Sequence, residues 1–186
     1  MRTFISGGCK NGKSTYAESL AKMRSFADRP LYYIATMSPF DKEDQARITR
    51  HQAERAGMGF ITVEQSTCIE QILEVCDTEA SFLLDSLTAL LMNELFMPIT
   101  YEIDVNATTR IKRGLDKIFE TVSDIVFVSD YIYSDAIAYV SETTEVYRKA
   151  LAELDRYVAQ KCDVVIEVAY THKIIHKGKE YLHEIS

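Results

Sequence analysis

Residues Gly7-Gly8-Cys9-Lys10-Asn11-Gly12-Lys13-Ser14 spell the pattern G-x-x-x-x-G-K-[ST], and each residue type suits the grip of a triphosphate. The glycines let backbone N–H groups curl around phosphate oxygens, Lys13 brings a point charge toward the β- and γ-phosphates, and Ser14 offers a hydroxyl to Mg²⁺. The pattern follows the apolar stretch Thr3-Phe4-Ile5 and runs directly into a helical pattern, whose positive end then faces the same anion. The bland alternative, glycines that merely make a turn, is disfavoured by a strand before and a helix after. A purine nucleotide is the expected ligand.

Phosphoryl transfer also needs a metal held against the phosphates, so an acid is expected at the end of a neighbouring strand. Asp85 closes the apolar run Ser81-Phe82-Leu83-Leu84 and fits that place, with capping of the following helix as its alternative role. Asp130, after Ile125 to Ser129, is a second choice, and an ordinary loop acid is its alternative. Arg47, Arg50, His51 and Glu54 recur at spacings of three and four and share one helical face. That face is either a solvated stripe or an imidazole flanked by arginines near a triphosphate, where His51 could attack phosphorus. Spacing leaves both open. His172 and His176 could form a metal pair, but their extended pattern beside Lys173 and Lys177 reads more simply as a hairpin surface. Tyr131 and Tyr133 follow a strand and could line a substrate pocket.

The elements that must carry these residues alternate β-branched or aromatic runs with longer helical stretches, which predicts an α/β sandwich with a mostly parallel sheet. Strands are expected at 3–6, 31–36, 60–63, 81–85, 125–129 and 163–169. Helices are expected at 13–27, stopped before Pro30, then at 41–56, 67–76, 87–96, 107–122 and, capped by Ser141, to about Lys161. Residues 172–185 are expected to form a terminal hairpin turning at Lys177-Gly178-Lys179.

The 186 residues fit one domain. With 21 Lys and Arg against 28 Asp and Glu, the net charge of −7 argues against a general nucleic-acid surface. The phosphate loop begins too early for a signal peptide, and the longest apolar run is broken by Asp85, so a soluble cytoplasmic protein without membrane insertion is expected. Cys9, Cys68, Cys76 and Cys162 lack C-x-x-C spacing, and buried or half-buried thiols are expected rather than disulfides or zinc.

In order along the chain, these segments resemble the bifunctional adenosylcobinamide kinase / adenosylcobinamide-phosphate guanylyltransferase family of cobalamin biosynthesis. The resemblance rests on the phosphate loop, Tyr33-Ile34-Ala35-Thr36, Arg47-Ile48 with His51 and Arg55, Thr62-Val63-Glu64, and Leu83-Leu84-Asp85-Ser86-Leu87-Thr88. It implies a P-loop NTPase (RecA-like) three-layer sandwich, with GTP and/or ATP and a small-molecule corrinoid as substrates. It further implies a histidine, here His51, that is guanylylated on the way, and a homotrimeric assembly. The nucleotide contacts it implies are the loop from Gly7 to Ser14, then Ala35, Thr36, Met37, Gln52, Ala53, Glu54, Arg55, Glu64 and Asp85. Catalysis would fall to His51 and Lys13, and Mg²⁺ to Ser14 and Asp85.

Two regions depart from the family pattern. In the phosphate loop Lys10-Asn11 stands where the family has Arg-Ser. On the acceptor side its Asn-Glu-Val-Gly-x-Gly-Ile-Val-Pro segment is replaced by Asp130-Tyr131-Ile132-Tyr133-Ser134-Asp135-Ala136-Ile137, and its Gly-x-x-Asn-Gln reads Ala152-Glu153-Leu154-Asp155-Arg156. The nucleotide half is retained and the acceptor half remodelled. A P-loop kinase for another acceptor and a non-catalytic nucleotide sensor are the rival readings.

Overall fold

A computed structural model describes residues 1–39, 49, 52–53, 55–96, 102–133, 141–170 and 172–185, the last three of these by backbone alone. Its strands are β1 (Arg2–Gly7), β2 (Leu31–Ala35), β3 (Phe60–Glu64), β4 (Ser81–Asp85), β5 (Asp124–Asp130), β6 (Val164–Ala169) and β7 (His172–Lys177). They form one sheet in the order β3-β2-β4-β5-β1-β6-β7, parallel except for β7, which runs antiparallel to β6. The described helices are α1 (Lys13–Arg24), α2 (Ile72–Val75), α3 (Leu87–Leu95), α4 (Ala107–Thr121) and α5 (Glu142–Lys161). The helix expected at 41–56 lies largely outside the described residues, although 49, 52–53 and 55 are helical.

Strand alternation sorts the side chains into two cores. Phe4, Ile34, Phe82, Leu84, Ile125 and Phe127 face α3, α4 and α5. Ile5, Tyr33, Leu83, Val126, Val128, Val164 and Ile166 face Ala17, Leu20 and Ala21 of α1. The sheet is thus the middle of three layers. On α4 the buried residues Ile111, Leu115, Ile118 and Phe119 recur at helical spacing, which binds that helix to the larger core.

The same alternation positions the site. Asp85 follows Leu83 by two residues and Asp130 follows Val128 by two, so both acids emerge on the α1 side of the sheet. Ser129 falls on the opposite side, toward α3 and α5.

Two local expectations are corrected, for the hairpin and for two of the cysteines, and the open question of which residue caps the helix after Asp85 is decided. The C-terminal hairpin is made by β6 and β7 through Tyr170, whose φ is 49°, and Lys179–Ile185 is a 3₁₀ turn rather than a strand. The helix after Asp85 is capped by Ser86, whose Oγ accepts the Ala89 N–H at 3.2 Å, so Asp85 is not spent as a cap. Cys9 and Cys68 are exposed, and only Cys76 and Cys162 are buried thiols.

Candidate functional site

The phosphate loop occupies the turn between β1 and α1 and is tied to both neighbouring strands. The Tyr131 N–H at the end of β5 donates to the Gly7 carbonyl at 3.2 Å, and Asn11 Nδ2 donates to the Val168 carbonyl of β6 at 3.4 Å. A Cβ on Gly7 would sit 2.6 Å from the Val168 carbonyl oxygen, so the approach of β1 to β6 requires glycine there. Gly12 has φ 80°, a left-handed turn that frees the chain to enter α1, and no side chain caps that helix. Its first N–H groups are therefore left for an anion.

Lys13 is 6% exposed, and its Nζ donates to the Gly8 carbonyl at 3.2 Å and pairs with Asp130 Oδ1. Ser14 follows, half-buried, in the first turn of α1, while Cys9 and Lys10 are exposed.

Three of the expected nucleotide contacts stand in one row. Ala35 of β2 pairs in register with Glu64 of β3 on one side and with Asp85 of β4 on the other. Behind that row Tyr33 donates from its hydroxyl to Asp85 Oδ2 at 2.9 Å. Burial, reinforced by the Asp85 charge, pushes the Tyr33 hydroxyl far above its ordinary value, so it stays a donor. Arg55, 7% exposed, lays its guanidinium 3.5 Å from the Tyr33 ring centroid, with Nη1 3.7 Å from Glu18 Oε1.

Thr36 is fully buried. Its Oγ1 donates to the Ser86 carbonyl and accepts the Ser86 N–H, both at 2.7 Å, while Asn93 Nδ2 holds the Thr36 carbonyl at 2.7 Å and the Ser66 carbonyl at 3.0 Å. These bonds brace the ends of β2 and β4, and Met37 follows directly. Gln52 and Ala53 are exposed helical residues. His51, Glu54, Arg47 and Arg50 lie outside the described residues.

Ser14 and Asp85 offer a hydroxyl and a carboxylate, the hard oxygen donors that suit Mg²⁺, an ion that keeps waters and shares substrate phosphates instead of filling a protein cage. Among the described residues no group of three His, Cys, Asp or Glu could hold a metal. His172 and His176 do not converge on one. His176 Nε2 lies 2.9 Å from Glu167 Oε2 on the exposed β6–β7 hairpin.

Residues 129–133, Thr88 and α5 form a polar cluster beside the loop. Tyr133 donates to Asp155 Oδ2 of α5 at 2.9 Å, and Tyr147 donates to the Thr88 carbonyl at 2.9 Å. Thr88 Oγ1 accepts the Asp130 N–H at 2.8 Å and lies 3.3 Å from Ser129 Oγ. Burial pushes the Asp155 carboxyl up to about 7, against the opposing pull of the Ser129 and Tyr133 hydroxyls. Sequence reading missed the Lys13–Asp130 pair and the Tyr33 support of Asp85. Strand parity puts Tyr33, Asp85 and Asp130 on the α1 face, but nothing local in the sequence pairs Lys13 with Asp130 or Tyr33 with Asp85.

A phosphate loop between the interior strand β1 and α1, with β5 lying between β1 and the strand that carries Asp85, defines a RecA-like P-loop NTPase fold. The family model for cobinamide kinase / cobinamide phosphate guanyltransferase matches residues 3–173, and the chain belongs to that family of cobalamin biosynthesis. No curated protein matches it. Among solved structures it is similar to a Pyrococcus horikoshii OT3 protein studied as Project ID PH0250, with 8% identity, TM-score 0.54 and coverage of 96% of this chain and 86% of that one. A solved ATPase domain aligns at 13% identity and TM-score 0.48, covering 89% of this chain and 68% of the other. Flagellar accessory protein FlaH from Methanocaldococcus jannaschii aligns at 12% identity and TM-score 0.46, covering 95% of this chain and 77% of the other. No described helix is long and apolar enough to cross a membrane.

Proposed function

We propose that the protein phosphorylates the aminopropanol hydroxyl of adenosylcobinamide and then transfers GMP from GTP to the new phosphate through His51. The observation that carries this reading is Lys13, nine-tenths buried under an uncapped helix start, on the same sheet face as Asp85, in a chain of this family.

The loop N–H groups and Lys13 bind the β- and γ-phosphates, while Ala35 to Met37, Gln52 to Arg55 and Glu64 hold the nucleoside end. Ser14 and Asp85 would hold Mg²⁺, which when bound would supply positive charge to offset the charge developing on the phosphate oxygens. In the transfer step a His51 ring nitrogen bonds to the α-phosphorus as the bond to the α,β-bridging oxygen breaks and pyrophosphate leaves. An oxygen of the corrinoid phosphate then attacks the same phosphorus and frees the imidazole. Assembly as a homotrimer in the cytoplasm, with GTP or ATP as the kinase donor, belongs to this reading.

Consumption of nucleoside triphosphate that depends on added cobinamide tests it, and Lys13→Ala should abolish that consumption. One observation favours a kinase for another alcohol: Tyr133 and Asp155 stand in the polar cluster where the family sequence differs. Phosphorylation of a different alcohol, with none of cobinamide, would decide for that rival.

A further inference from the structure

The Lys13–Asp130 pair does more than neutralise the loop lysine. The motif assigns the Lys13 ammonium to the β- and γ-phosphates, and its Nζ already touches Asp130 Oδ1. The carboxylate therefore lies one ammonium group away from the place of the transferred phosphoryl. It stands at the end of β5, the strand between the phosphate-loop strand and the strand of Asp85.

The Asp130 backbone is fixed on both sides. Its own N–H donates to Thr88 Oγ1 at 2.8 Å, and the next N–H, of Tyr131, donates to the Gly7 carbonyl at 3.2 Å. Its side chain is 29% exposed, so an incoming hydroxyl can reach it, whereas that of Lys13 is 7% exposed. The segment that follows, with Tyr131 and Tyr133, belongs to the remodelled acceptor side.

We propose that Asp130 is the general base of the kinase step, a catalytic residue that takes the proton of the acceptor's hydroxyl. The inference rests on the kinase half of the proposed function. When a triphosphate binds, Lys13 turns to its phosphates and the Asp130 carboxylate is released toward the alcohol. The alcohol O–H bond breaks and its proton passes to a carboxylate oxygen of Asp130. The alcohol oxygen bonds to the γ-phosphorus, and the bond from that phosphorus to the β,γ-bridging oxygen breaks, so a nucleoside diphosphate leaves. Protein kinases use an aspartate in the same chemical role. Attack by an imidazole on the α-phosphorus of GTP involves no acceptor hydroxyl, so self-labelling by GTP does not require Asp130.

The test compares the full-length protein with Asp130→Asn and Asp130→Glu, using cobinamide, Mg²⁺ and ATP or GTP. A general base contributes about 10²–10⁴-fold, so Asp130→Asn should lose phosphorylation on that order. Binding of a fluorescent triphosphate analogue should be retained or tightened, because a negative charge has left the phosphate site. Asp130→Glu, which keeps a carboxylate, should retain more rate than Asp130→Asn. Self-labelling by α-labelled GTP should persist in both variants.

Phosphorylation by Asp130→Asn at the wild-type rate overturns the inference while leaving the proposed function standing. A rate that falls only in proportion to lost nucleotide binding also overturns it, because Asp130 would then merely shape the loop. If the wild-type protein phosphorylates no hydroxyl of cobinamide, the kinase reading fails first and takes the inference with it.

Discussion

The Tyr33 hydroxyl donates a 2.9 Å hydrogen bond to Asp85, from a ring that is itself covered by the Arg55 guanidinium. One strand thus fixes the carboxylate at the end of its neighbour.

Tyr33→Phe keeps the ring under Arg55 and removes only this bond. Losing a partner that orients a metal-ligating carboxylate costs about 10–100-fold in metal affinity or activity. The apparent Mg²⁺ requirement of nucleotide turnover should rise accordingly, with little change in thermal stability. An unchanged Mg²⁺ titration would show that Asp85 does not depend on Tyr33.

Asp155 makes stability depend on pH. Its folded carboxyl titrates near 7, above the roughly 3.9 of an unfolded aspartate, so the folded state holds the proton more tightly. The contribution of Asp155 to stability is therefore greatest below the unfolded value, falls as pH rises from about 4 through about 7, and then levels off, a loss on the order of 4 kcal/mol. Asp155→Asn keeps an acceptor for Tyr133 and removes the titration. Denaturant unfolding at several pH values should show a flatter profile for the variant and a stability gain near pH 8. Parallel profiles for the two proteins would contradict the assignment.

The sheet and the phosphate loop are legible in the sequence because both are local. Strands β1, β2, β4 and β5 announce themselves as apolar runs, and the loop is a contiguous pattern. The terminal hairpin is misplaced by sequence reading because Gly178 looks like a turn, whereas the chain reverses at Tyr170, which adopts a positive φ without being glycine. Asp85 stands out as a ligand candidate, but its freedom from capping depends on Ser86, one residue away, taking the helix start. The pairs Lys13–Asp130 and Tyr133–Asp155 join residues distant in sequence. Local pattern carries no signal for such contacts, and they emerge only when β5 is laid beside β1 and α5 is packed on the sheet.

Gly7→Ala tests the close approach of β1 and β6. The new methyl would lie 2.6 Å from a backbone oxygen that cannot swing aside, so one of the strands must shift. Overpacking of this kind costs about 1–3 kcal/mol. The melting temperature should fall, and nucleotide affinity should drop with it because the loop begins at this residue. A variant that melts and binds like the wild type would mean that the strand ends yield freely.

In the proposed transfer step the phosphate loop anchors GTP for attack by His51. Incubating the protein with Mg²⁺ and GTP labelled at the α-phosphate tests it most directly. Label on the chain is expected, acid-labile and alkali-stable, and absent from His51→Ala. A fully folded wild-type protein that binds GTP and acquires no label would contradict it.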